Sequence, residues 1–210
     1  MAGLPSVARG LLSFGRMNTA DRSHVADAGL SDLNAKYPFG AQMADIDPPL
    51  ASLRTAVAEL FAATERAGAT WTKPRAPGKW SPSQVVEHVA RIMEESANVA
   101  SGRPSKFPTI PFFLRPIARI VVFKRTLRRN DFPKMKAADA FIPVTGSATP
   151  ADGRDRLQGA LSLFDQACRA QSAAGRKVAS TIFGAVSVAE FAKFQELHVR
   201  HHTQQMPDAA

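Results

Sequence analysis

The chain has 210 residues, 45% of them hydrophobic and 21% charged, and a formal net charge of +9. That length and apolar share suit one domain with a sizeable core, and they exclude wholesale disorder, collagen-like sequence and a coiled-coil rod. No apolar run reaches the roughly 18 residues that a transmembrane helix needs. The single cysteine, Cys168, excludes an internal disulfide framework and fits a reducing, cytoplasmic setting.

Residues 1–46 read as a weakly structured N-terminal extension, with scattered Gly and Pro and little periodicity. Arg9 and Arg16 precede the first acid, Asp21. Such a start mimics an organellar transit peptide. A plain tail, or an upstream start with Met17 or Met43 as the true first residue, is the simpler expectation. His24 lies here and is expected to be incidental.

Residues 47–210 carry four amphipathic helical patterns. The first opens at Asp47-Pro48, read as a cap followed by Pro at the first helical position. Leu50, Leu53, Val57, Leu60, Phe61 and Thr64 continue it at helical spacing to about Arg66. The second opens at Ser81-Pro82-Ser83-Gln84, a capping box, and carries Val85, Val89, Ile92, Met93 and Ala97 on one stripe with His88 among them. The third opens at Thr149-Pro150, with Leu157, Ala160, Leu161, Phe164, Ala167 and Cys168 inward. Cys168 reads most simply as a small core residue. The fourth opens at Ser187-Val188-Ala189-Glu190, a second capping box, and its stripe of Phe191, Phe194, Leu197, His198 and His201 or His202 runs to about Met206. No strand alternation of useful length occurs. The expected fold is all-α, an antiparallel four-helix bundle.

Between the second and third helices lies an insert, residues 101–148. Ser101 to Lys136 holds ten basic residues against one acid, Asp131, so this stretch alone carries +9 and the remainder is formally neutral. Leu114 to Arg129 reads as an amphipathic helix lying across the bundle. Ile117, Ile120, Val121 and Phe123 are expected to pack down, and Arg115, Arg119, Arg125 and Arg129 to face water. The simplest reading of this segment is a solvated basic face on a covering helix; an anionic membrane surface is the alternative, ahead of an anionic substrate or nucleic acid, for which no reader motif is present.

His198 and His202 are four apart, which places two imidazoles on one helix face where both can bind one metal. His201, three after His198, offers an alternative pair. His88 can supply a third ligand from the second helix, and three protein ligands leave open positions for water or substrate.

Trp80-Ser81-Pro82-Ser83-Gln84-Val85-Val86-Glu87-His88 resembles the second-helix motif of the DinB-like superfamily. His198-Val199-Arg200-His201-His202-Thr203-Gln204-Gln205 resembles its closing H-x-x-H-H-x-x-Q motif, and Phe183 to Phe191 looks like one branch's lead-in. The two motifs stand in the superfamily's order, about 110 residues apart. The resemblance covers roughly residues 48–206. It implies a four-helix bundle holding a divalent metal through His88, His198 and His202. Gln205 would serve as a supporting or packing residue, and His201 matches a position that is not usually the ligand. Known activities in the superfamily include transfer of low-molecular-weight thiols and thiol-dependent isomerisation; many members have no assigned reaction.

The expected function is therefore a metal-dependent enzyme, thiol transferase-like or hydrolase-like, in which the metal activates a bound thiol or water. Histidine ligands do not choose among Zn, Ni, Mn and Fe. Glu87 should point away from His88, Glu94 and Glu95 read as solvated charges, and no further catalytic acid or base is evident. The alternatives are a non-catalytic metal-binding or stress-associated module, and a membrane-surface-associated protein using the insert. The partners expected are a small-molecule substrate, a second copy of the chain and an anionic membrane surface.

Overall fold

A computed structural model describes residues 46–206. Apart from Ile46, the N-terminal extension with His24 lies outside the described residues, as do residues 207–210.

Proline and hydroxyl side chains set most of the helix starts. Helix α1 spans Asp47–Ala67, and its cap is Ile46 with no side-chain hydrogen bond, not the expected Asp47. Ile46 is buried, and its carbonyl accepts from the Leu50 amide at 3.1 Å. An apolar anchor thus fixes how the chain enters α1. Asp47 sits one place inside, near the positive end of the helix dipole, and accepts from Arg169 Nη1 at 2.7 Å.

Helix α2 spans Pro82–Ala100 and opens with the expected capping box. Ser81 Oγ accepts from the Gln84 amide at 3.3 Å, and Gln84 Oε1 accepts from the Ser81 amide at 3.0 Å. Across the insert run α3 (Arg115–Ala118), a π-helical segment (Arg119–Lys124) and α4 (Arg125–Arg129), ended by Asn130 in the left-handed region at φ 50°. Helix α5 spans Pro150–Ala173, with Thr149 Oγ1 accepting from the Asp152 amide at 3.1 Å. Helix α6 spans Val188–Thr203, with Ser187 Oγ accepting from the Glu190 amide at 3.2 Å.

Between α5 and α6 the chain forms an antiparallel pair of strands, β1 (Val178–Ser180) and β2 (Gly184–Val186), with Val178 opposite Val186. The expectation of helices alone misses this hairpin. Three residues per strand are too few for alternation to register in a sequence. Gly184, at φ 71°, supplies a turn that a side chain would strain.

Helix α2 packs along α5, and α1 along α6. The expected stripes meet in one core: Leu50, Leu53, Val57 and Leu60 of α1, Val85, Val89 and Met93 of α2, Leu157 and Phe164 of α5, and Phe191 and Val199 of α6. Burial of each large side chain stabilises the fold by about 1.5–3 kcal/mol. Ion pairs tie the rims. Arg156 of α5 meets Glu94 at 2.7 Å and Glu87 at 3.3 Å on α2, so these carboxylates are cross-links and not freely solvated charges. Glu95 accepts from the Lys106 amide at 2.9 Å and so holds the start of the insert.

The insert follows its sequence pattern only in part. Phe123 is buried and Arg125 and Arg129 are exposed as expected, but Ile117, Ile120 and Val121 are exposed as well. Arg115 and Arg119 are half-buried and donate to the carbonyls of Ile110 and Ala185, each at 3.1 Å. The wider turn of the π segment shifts the inward face to Ala118, Val122, Phe123, Thr126 and Leu127. The carbonyls of Ile110, just before the helix, and of Ala185, in β2, take the two guanidinium groups.

The insert then returns over the start of α2. Gln84 Nε2 donates to the Pro143 and Val144 carbonyls at 3.3 and 3.2 Å, and Trp71 Nε1 donates to the Ser147 carbonyl at 2.8 Å. A Cβ on Gly146 would lie 2.3 Å from the backbone carbon of Ser83. Gly146→Ala is therefore predicted to destabilise the fold by about 1–3 kcal/mol, read as a lower urea midpoint. An unchanged midpoint would contradict this close approach.

Cys168 is fully buried on α5. Burial first, and the neighbouring Asp165 second, push its thiol up to about 12. The thiolate is thus absent from the native state throughout the neutral and mildly alkaline range. Native protein at pH 8 should leave a disulfide reagent unconsumed, and unfolding in guanidinium should release one titratable thiol per chain. Rapid reaction of the native chain would refute the assignment.

Candidate metal centre

His88 follows the α2 cap by two helical turns, on the stripe with Val85 and Val89. His198 and His202 share the inward face of α6. The two helices bring all three imidazoles together: one ring nitrogen from each lies within 4.8 Å of the others, and all three residues are buried. The ring centroids are 5.4 Å apart for His88–His198, 4.8 Å for His88–His202 and 4.6 Å for His198–His202.

Neighbouring groups decide which nitrogens remain available. The Phe141 carbonyl, in the 3-10 turn Asp139–Phe141 of the insert, accepts from His88 Nδ1 at 2.8 Å. Gln205 Oε1 accepts from His202 Nδ1 at 3.1 Å. Both rings therefore carry the Nδ1 proton and keep Nε2 as a lone pair, the arrangement that prepares histidine for a metal. His202 Nε2 stands 3.1 Å from His198 Nε2. Two imidazole nitrogens this close need a proton or a cation between them. His198 Nδ1 is buried with no hydrogen-bond partner among the described residues.

Burial is the largest cause lowering the basicity of all three. It holds His198 well below the ordinary histidine value and His202 at about 3, with neighbouring imidazoles adding to the effect. His88 is lowered by burial, against the Phe141 carbonyl that favours its charged form. All three are neutral at pH 7, the form that ligates metal. Three buried, uncharged nitrogen donors could bind a divalent metal. The donor set fits Zn, Ni, Mn or Fe without selecting among them.

His201 stays outside the triad. It is half-buried, and its Nε2 accepts from Gln205 Nε2 at 2.9 Å. Gln205 thereby orients His202 with one end of its amide and holds His201 with the other. Of the expected supporting pair, Gln205 acts directly on a triad ring and His201 acts on Gln205.

A cavity of about 1330 Å³ opens beside the triad. Trp80 and Phe132 wall it, with ring centroids 4.8 Å from His88 and 5.0 Å from His198. Arg75, Lys79, Lys134 and Lys136 line its rim against a single acid, Asp131. The insert thus reaches the site through Phe132 and the Phe141 carbonyl. Neither was legible in the sequence, since a backbone carbonyl leaves no residue signature and the path of the insert sets both. Gln195 also went unmarked; it lines the cavity, and its buried Oε1 has no partner among the described residues. Its place one turn before His198 on the same stripe was the available signal.

Neither the curated proteins nor the solved structures searched contain a match to this chain. A family model described as a protein of unknown function, DUF1569, matches residues 47–209, the stretch that holds every residue of the site, and the chain belongs to that family.

Proposed function

We propose that the chain is a DinB-like antiparallel four-helix bundle that binds one divalent metal through His88, His198 and His202, and that it is a metal-dependent enzyme of the thiol transferase or hydrolase kind. The observation that carries this reading is the convergence of three buried, neutral imidazoles within 4.8 Å of one another. Bound there, a metal supplies Lewis-acid activation of a thiol or a water at neutral pH.

The chain's own residues do the rest. Phe141 and Gln205 hold the Nδ1 protons of His88 and His202, which keeps both rings turned for ligation. Trp80 and Phe132 shield the triad from bulk water. The cavity has room for a small-molecule co-substrate, and its four rim cations favour an anionic one. Asp131 is the one carboxylate among the residues that line it. The size of the cavity beside the triad favours an enzyme over a non-catalytic metal-binding module, which requires no such space.

Metal analysis after incubation with Zn, Ni and Mn tests the site. Wild-type protein should retain one metal per chain, and His88→Ala, His198→Ala and His202→Ala should each lose it. A wild type that stays metal-free would sink the proposal, and a variant that keeps its full metal would remove that residue from the ligand set. Gln205→Ala should weaken metal affinity by about 10–100-fold in a chelator competition. The loaded protein should consume a low-molecular-weight thiol with an electrophile, or hydrolyse a test ester, in a metal-dependent manner. Full metal occupancy without turnover in either screen would favour the non-catalytic module.

A further inference from the structure

The outer face of the insert takes no part in the metal centre. Phe112, Phe113, Leu114, Ile117, Ile120 and Val121 are between 41% and 79% exposed. From Phe113 onward they recur at intervals of three and four, on the face opposite the inward residues Val122, Phe123 and Thr126. The ridge is therefore directed away from the core. Solvent on six neighbouring large apolar side chains is unusual for a protein surface without a partner.

Toward its C-terminal end the same outward face turns basic. Arg125, Arg128 and Arg129 are exposed, and among the described residues none of them has a carboxylate within ion-pair distance. Lys124, on the same face, pairs with Glu190. The surrounding stretch from Ser101 to Lys136 carries its +9 with one acid.

We propose that this face docks on an anionic lipid bilayer, with the Phe/Leu/Ile/Val ridge in the headgroup–acyl boundary and the arginines on lipid phosphates. An amphipathic surface that combines apolar bulk with unpaired cations matches that boundary on both counts. The other occupants match on one count at most. A second copy of this face would set cation against cation. Nucleic acid would pair the arginines and leave the Phe and Ile side chains in water. The contact is interfacial, since among the described residues no helix is long and apolar enough to cross a membrane. The proposal does not depend on the metal centre.

The test is co-sedimentation of the full chain with two kinds of vesicle: phosphatidylcholine alone, and phosphatidylcholine mixed with phosphatidylglycerol. Wild type should pellet with the mixed vesicles at low salt, less at high salt, and little with phosphatidylcholine alone. Arg125→Glu with Arg128→Glu should weaken binding about tenfold or more, and so should Ile117→Ser with Ile120→Ser. These positions are exposed and none of them lines the cavity beside the triad, so an unchanged circular dichroism spectrum and metal content should accompany both double variants. No pelleting of the wild type at low salt would overturn the proposal. So would pelleting that the Ile117→Ser/Ile120→Ser variant leaves unchanged. Loss of a wild-type dimer in that variant, without vesicle binding, would assign the face to a second copy instead. Binding to a short duplex in place of vesicles would assign it to nucleic acid.

Discussion

Three imidazoles buried side by side constrain the rest of this molecule. Each must be neutral, because charging one would place a cation in a desolvated site beside two other rings. Each neutral ring must also find a place for its single proton. His88 places it on the Phe141 carbonyl and His202 on the Gln205 amide. His198 places it on His202 Nε2, 3.1 Å from its own Nε2, which leaves its buried Nδ1 without a hydrogen-bond partner among the described residues. An unpaired buried polar atom of this kind costs about 1–3 kcal/mol.

That constraint explains why the insert is part of the site. The 3-10 turn Asp139–Phe141 must hold its carbonyl against α2. Gln84 and Trp71 pin the following loop through three backbone carbonyls, and Gly146 allows it to lie directly on Ser83. Gln84 thus has two roles, closing the capping box and anchoring the strap that orients His88. Start of helix, strap and His88 are thus joined by hydrogen bonds. The same insert lays Phe132 against His198 and lines the cavity with Lys134 and Lys136.

The charge takes on a local meaning in this frame. Part of it is spent internally: Arg115 and Arg119 satisfy backbone carbonyls, and Lys124 pairs with Glu190. Lys134 and Lys136 face the cavity. Arg125, Arg128 and Arg129 lie outward beyond the apolar ridge. The basic residues of one segment thus serve three separate surfaces.

Much was legible in the sequence because it depends on neighbours along the chain. Hydroxyl caps with Pro or Glu nearby mark the starts of α2, α5 and α6, and spacing of three and four marks their buried stripes. His198 and His202 share a face for the same reason, and His88 is inward because Val85 and Val89 are. The failures are of two kinds. The hairpin Val178–Val186 is too short to alternate. Asp47 yields the cap to the buried Ile46, and Ile117 and Ile120 stay exposed while Arg115 and Arg119 reach backbone carbonyls. In these last cases the outcome depends on what lies beneath the segment, which spacing along the chain does not encode. Local sequence determined the helices and the inward histidines. Only the tertiary structure decided which ring nitrogens are available and which face of the insert meets solvent, because a backbone carbonyl 53 residues from His88 orients that ring and the packing beneath the π-helical segment sets the face.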